Sequence, residues 1–414
     1  MSAGALAGIT VIDLSRILGG PYCTQILADH GAEVIKVEPP AGDDTRSWGP
    51  PFVAPEVSSY FAGINRNKRM ITLDLRTEEG QEALHGLLAG ADVLVENFKT
   101  GTLAKWGLDP VSDIPDRYPH LVHASITGFG DDGPLGGRPG YDAIIQAMSG
   151  LMSVNGDEST GPMRIGMPAV DMVTGLNAAI GVLMALQERV TSGRGQRVET
   201  TLFDCGISVM HPHLPNFFGG GAVPKLSGND HPNIAPYSAF ATGAGQVFIT
   251  AGNDAQFAKL VDHLGAPGLA EDPRFVDNAA RLGNRDALRT ELEALMVSTS
   301  AEALSEELMS IGVPAGPILD AAEVVEHPHT AHREMVVEMG DGYRGVASPI
   351  KLARTPASYR ISPVQRVAEV AGGDDGEGQY GAEVEGHPHA VARNQPFEDF
   401  AAASSRDRAA SAAR

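Results

Sequence analysis

The sequence predicts an α/β protein built on a parallel sheet, and three observations carry that expectation. Between residues 9 and 130, short apolar runs alternate with amphipathic stretches of helical spacing. The 414-residue chain exceeds what one small core needs, at roughly 150 residues per domain. Its 43% hydrophobic content supplies the apolar material for a real core.

In order, "ITVIDLS" (9–15) reads as a buried strand, "PYCTQILADHG" (21–31) as a helix stopped by Gly31, and "EVIKVE" (33–38) as a second strand. A polar, Pro-rich stretch follows. Then come the strand "RMITLDLR" (69–76), the helix "TEEGQEALHGLLAGA" (77–91), and the strands "DVLVENF" (92–98) and "LVHASITGFG" (121–130). Apolar strands separated by amphipathic helices form βαβ units. A long helix is expected over 172–190, followed by "GQRVETTLFDCGISVM".

Composition shifts at "FFGGGAVPKLSGNDHPN", which is rich in Gly and Pro. Beyond it, "GQVFITAG" reads as a strand, and "DAQFAKLVDHLG" and "NRDALRTELEALMVS" as helices. The expected organisation is a large Rossmann-like domain beginning with residues 1–200, a linker at 201–224, and a smaller α+β domain at 225–330. The chain then returns to the large domain at 331–363. The tail at 364–414, rich in Ala, Gly and charge, has little to bury and is expected to be mobile.

The balance of 31 basic against 52 acidic side chains gives a net charge of −21, which repels nucleic acid. A small anion would need locally clustered Lys and Arg. No apolar run reaches the roughly 18 residues of a membrane span, and the N-terminus lacks the basic region of a signal peptide. Two cysteines, Cys23 and Cys205, suit a reducing cytoplasm and exclude a disulfide scaffold. Pro separates the histidines in "HPHL" and "EHPHTAHRE" and spoils metal-ligand presentation, so no metal site is expected. "GFGDDG" fits the dinucleotide-binding spacing, but "PLGGRPG" after it cannot open a helix, so a Gly-rich turn is the better reading.

Asp171, in "GMPAVDMVTGLNAAIGVLMAL", stands at the mouth of the long helix. The apolar residues Met172, Val173, Leu176, Ile180, Leu183 and Leu186 predict deep packing of that helix. Asp171 reads in two ways. As an N-cap, it would accept orphan backbone N–H bonds. As a nucleophile, it would be kept ionised by the helix dipole and would attack an activated acyl group such as a thioester.

The string of motifs narrows the choice. "LAGITVIDLSRILGGPYCTQILADHGAEVIKVEPPAGDDTR", "NRNKRMITLDLRTEEG", "ADVLVENFKTGTLAKWGL", "GRPGYDAIIQAMSGLM", "MPAVDMVTGLNAAIGVLMAL" and "SGRGQRVETTLFD" resemble, in order, the family III CoA-transferases. That family includes formyl-CoA transferase, carnitine CoA-transferase and the α-methylacyl-CoA racemases. The resemblance runs over residues 6–362. It implies an open-ring subunit and an interlocked homodimer in the cytoplasm. It implies no metal and no tightly bound cofactor; coenzyme A enters as acyl-CoA substrate, and the partner molecule is a carboxylic acid.

The resemblance places the catalytic aspartate at Asp171. Along the CoA it places Arg16, Leu18 and Gly19, then Leu73, Asp74 and Arg76. It adds Asn97, Phe98, Lys99 and Lys105, and finally Arg138, Gly140, Tyr141 and Asp142. Leu18 and Leu73 could instead be core, and Lys99 and Lys105 solvated surface charges.

Two departures bear on chemistry. Tyr141 stands where the racemase branch carries His, which favours transfer over α-proton exchange. Leu18 and Pro39 stand where the formyl-CoA branch carries Gln and Arg, which argues against oxalate and formate. A transferase using succinyl-CoA or another dicarboxylic acyl-CoA is the expectation. The alternatives are a racemase of the same family and a non-catalytic CoA-binding homologue.

Overall fold

Seven parallel strands form the central sheet of the computed structural model, which describes residues 4–364 and the backbone of residues 368 and 369. Its first units are β1 (Thr10–Asp13), α1 (Gly19–Asp29), β2 (Glu33–Glu38), β3 (Lys68–Thr72), α2 (Glu78–Ala89), β4 (Val93–Glu96) and β5 (Val122–Thr127). The helices α3 (Asp142–Met148) and α4 (Ala169–Ser192) follow, then β6 (Arg197–Thr201). Spatial order across the sheet is 3-2-1-4-5-6, with every pair parallel. This is the doubly wound order, whose switch point lies between β1 and β4. Fully buried Val11, Ile12, Ile35, Val93 and Leu94 make the near-continuous apolar strands that a sheet covered on both faces requires.

An edge strand, Ala368–Glu369, pairs in parallel with β3. Two residues of the segment expected to be a mobile tail are therefore sheet, and its other residues beyond 364 lie outside the described residues.

The chain divides into two units. The first comprises Met1–Ile145, Pro168–Gly206 and Glu334–Arg414; the second comprises Gln146–Met167 and Ile207–Arg333. The sequence reading left residues 146–167 in the large domain. Within the second unit this stretch is held by bonds such as Gly228 N–H to Gly156 O at 2.8 Å. That unit contains an antiparallel sheet of β7 (Tyr237–Ala241), β8 (Gln246–Thr250) and β9 (Ala315–Pro317). The helices Asp254–His263, Arg285–Met296 and Ala301–Ser310 cover it, with Phe257, Phe275, Leu292 and Leu308 in the core. The expected linker at 201–224 is not plain coil: it contains the helices Leu202–Ser208 and His213–Gly220.

Helix α4 corrects two expectations. It has 24 residues, and an 18-residue stretch within it has a mean hydropathy of 1.7, long and apolar enough by length and composition to cross a membrane, although no such run was expected. Its buried face is also not the predicted one. Val170, Thr174, Gly175, Ala178, Ala179, Val182 and Ala185 are buried; of the residues predicted to pack inward, Leu186 is buried and Met172 and Val173 are half-buried, whereas Leu176, Ile180 and Leu183 are exposed. The reason is close packing on α1. A Cβ on Gly175 would meet the carbonyl oxygen of Gly19 at 2.5 Å, so small residues must face inward. Counting large apolar residues therefore points to the wrong side of the helix.

Candidate active site

The loops after β1, β4 and β5 enclose a cavity of about 170 Å³ at the switch point of the sheet. Open α/β sheets bind ligands there, because the strands diverge and their following loops separate. The β1 loop contributes Arg16, Ile17, Leu18 and Gly19, and the β4 loop contributes Asn97, Phe98, Lys99 and Thr100. The two loops are tied together: Arg16 N–H donates to Asn97 Oδ1 at 2.9 Å, and Asn97 Nδ2 donates to the Arg16 carbonyl at 2.7 Å.

A third wall comes from the glycine-rich turn after β5. Gly128, Gly130, Gly137 and Gly140 line it with Arg138 and Tyr141. No helix opens directly after "GFGDDG"; the next, α3, begins at Asp142. Gly128 and Gly140 approach so closely that a Cβ on Gly128 would sit 2.7 Å from the Gly140 Cα. The motif that sequence analysis set aside as a turn thus forms part of the cavity wall.

Asp171 reaches this cavity from the first turn of α4. It is the third residue of the helix, and the position preceding the helix is Pro168. The N-cap reading therefore fails. Asp142 performs that task instead: its Oδ2 accepts from the N–H of Val170 at 2.8 Å and of Asp171 at 3.1 Å. A Cβ built on Gly19 would lie 3.7 Å from Asp171 Oδ1, so the start of α1 abuts the carboxylate.

The electrostatics correct a further expectation. Burial, and then the neighbouring Asp142 carboxylate, push the Asp171 pKa up to about 7 rather than down. The helix terminus does not outweigh the loss of water. Tyr60, on the short helix Ser59–Ala62, is pushed up to about 12 by burial and by the carboxylates of Asp171, Asp142 and Asp43. Sequence reasoning missed Tyr60; no motif marks it, and only its proximity to these carboxylates does.

Three cations share the cavity with Asp171: Arg16, Lys99 and Arg138. Arg16 pairs with Asp44 at 3.4 Å, whereas Lys99 and Arg138 are exposed and have no ion-pair partner among the described residues. Such a cluster suits an anionic ligand on an otherwise acidic chain.

Five predicted positions do not line the cavity, Asp142 among them, since it caps α4. Leu73 belongs to the sheet core with Ile71 and Leu84. Asp74 and Arg76 pair with each other on the surface at 2.7 Å. Lys105 is exposed on the 3₁₀ turn Leu103–Trp106.

Comparison with known proteins gives the family. The family model for CoA-transferase family III matches residues 6–364. The chain is 39% identical to the succinate–glutarate CoA-transferase of Agrobacterium fabrum, over 86% of this chain and 92% of that protein. It is 38% identical to the acetyl-CoA:oxalate CoA-transferase of Acetobacter aceti, over 84% and 90% respectively. A crystal structure of a CAIB/BAIF family protein from Brucella suis superposes with a TM-score of 0.79 at 43% identity, covering 87% of this chain and 96% of that one. A doubly wound parallel sheet, a carboxylate and cations at its switch point, and a family match over nearly the whole described length have one explanation: this chain is a CoA-transferase, a member of family III.

Proposed function

We propose that the protein transfers CoA from a dicarboxylic acyl-CoA to a second carboxylic acid, with Asp171 as the covalent carrier. The observation that carries the reading is a single largely buried carboxylate facing a cavity lined by three cations. The Asp171 carboxylate attacks the thioester carbonyl and expels CoA thiolate, giving a mixed anhydride. The thiolate then attacks the aspartyl carbonyl, which releases the donor acid and leaves an aspartyl-CoA thioester. The acceptor carboxylate displaces CoA thiolate from Asp171 to form a second anhydride. Finally the thiolate attacks the acceptor's acyl carbon, which releases the new acyl-CoA and regenerates Asp171. Each step exchanges one activated acyl bond for another, so no external energy source or metal is needed.

Arg16, Lys99 and Arg138 hold the anionic groups of CoA or of the acids, with the β4 loop and the glycine-rich turn alongside. The relatives named above act on succinate, glutarate and oxalate. Leu18 and Pro39 favour the longer of these acids here. The assembly is an interlocked homodimer of open-ring subunits, supported by the exposed apolar stripe Leu176, Ile180, Leu183 and Met184 on α4. The two buried thiols, Cys23 and Cys205, suit the cytoplasm.

Mass spectrometry after incubation with succinyl-CoA tests the reading. A CoA adduct on the peptide carrying Asp171, absent in Asp171→Ala, is expected. Deuterium wash-in at the acyl α-carbon without CoA exchange would overturn it in favour of epimerisation.

A further inference from the structure

Beneath the cavity lies a cluster of charges that the transfer reaction does not use. Asp13, Lys36 and Lys68 are fully buried, and Asp43 and Glu38 nearly so. Lys68 Nζ donates to Asp13 Oδ2 at 3.1 Å and to the Pro21 carbonyl at 2.8 Å. Lys36 Nζ donates to Asp43 Oδ2 at 3.0 Å and to the Ser15 carbonyl at 2.8 Å. Asp13 also accepts from Ser15 N–H at 3.0 Å and from Thr24 Oγ1 at 2.6 Å. Glu38 accepts from Asp43 N–H at 2.9 Å and from Arg46 Nε at 2.7 Å. Three acids face three bases, so the charge balances.

Such a cluster is an expensive way to stabilise a core, because apolar residues of similar volume often do as well. Its placement suggests another role. Both lysines grip backbone carbonyls, and these lie at the two ends of the loop carrying Arg16, Leu18 and Gly19 into the cavity. Inside that loop Ile17 has φ +70°, a left-handed conformation that a β-branched side chain strongly resists. Strain of this kind persists only where the surroundings over-determine it. The far end of the cluster does the same for the partner of Arg16. Asp43, bonded to Lys36 and Glu38, immediately precedes Asp44, which pairs with Arg16.

We propose that the buried Asp13–Lys68–Lys36–Asp43 cluster is a positioning device that holds the strained Arg16–Gly19 loop against Asp171. The proposal rests on the reading of this cavity as the site of acyl transfer. The cluster touches no substrate; it acts by setting where Arg16 and the start of α1 stand.

Thr24→Val tests it, since it removes one hydroxyl donor to Asp13 and keeps the side-chain shape. Hydrogen exchange of the peptide spanning residues 14–22 and steady-state kinetics with succinyl-CoA are read on the full-length protein. The expected result is at least tenfold faster exchange in the loop, a comparable loss in kcat, little change in Tm, and recovery of both exchange and kcat in Thr24→Ser. Should Thr24→Val fail to fold, Ser15→Ala removes the Ser15 hydroxyl, which also donates to Asp13 Oδ1, and is expected to raise loop exchange at least threefold. A fall in Tm with loop exchange and kcat unchanged would mean a purely structural brace and would overturn the proposal. So would exchange rising equally in β1, β2 and β3. If the wild-type protein transfers no CoA, the functional reading fails, while the exchange comparison still decides whether the cluster holds the loop.

Discussion

Asp171 is costly to ionise, and that cost separates its catalytic use from its effect on stability. A carboxyl at about 7 in the folded chain, against 3.8 for the free group, binds its proton more tightly when folded. Folding stability from this group is therefore present below the unfolded value and is lost as pH rises through about 7. Asp171→Asn removes the penalty. It should raise stability by about 1–3 kcal/mol at pH 8 while abolishing transfer, with the gain vanishing near pH 4. Urea denaturation at the two pH values checks this, and equal stabilities at pH 8 would contradict it.

Transfer itself needs the ionised form, so kcat should rise with pH through about 7. Asp142→Asn keeps an oxygen to accept the helix N–H groups but removes the like charge. Its acid limb should move to lower pH by roughly half to one unit. An unmoved pH profile would assign Asp142 to capping alone.

At the scale of elements, the contact of α1 with α4 decides whether the cavity has its shape. Both helices deliver site residues at their N-terminal ends, Gly19 from one and Asp171 from the other. Their approach is set by Gly175 against the Gly19 carbonyl. Gly175→Ala must push that carbonyl away by several tenths of an ångström. The expected result is a stability loss of about 1–3 kcal/mol and a disproportionate fall in kcat, since the displaced carbonyl belongs to Gly19, the residue that abuts the nucleophile. Thermal unfolding together with kinetics measures both; full activity would mean that the helix spacing is not critical.

For the whole molecule, the open question on the surface of α4 is what covers its apolar stripe. Ile180 is 47% exposed and Met184 67% exposed, an unusual exposure for such residues on a long core helix. A second copy of the chain is the occupant that the proposed interlocked dimer supplies. Ile180→Glu with Leu183→Glu should yield monomers or insoluble chains, read by sedimentation velocity. A wild-type protein that sediments as a monomer, or a variant that remains dimeric, would remove the stripe from the interface.

The sequence alone determined the βαβ order, the strand segments and the family, because buried parallel strands and specific loops are written in contiguous residues. "ITVIDLS", "EVIKVE" and "DVLVENF" each coincide with a strand of the sheet. Asp171 and the Arg16, Asn97 and Arg138 loops were also legible, since each sits in a contiguous motif. What depends on distance across the fold was not legible. The raised Asp171 pKa, the capping by Asp142, the proximity of Tyr60 and the inward turn of the small face of α4 arise between segments far apart in the chain. Periodicity counts large apolar side chains. It cannot register that two backbones meet at glycine, nor that a carboxylate loses its water when a remote loop closes beside it. Those facts exist only once the strands are ordered 3-2-1-4-5-6 and the loops converge at their switch point.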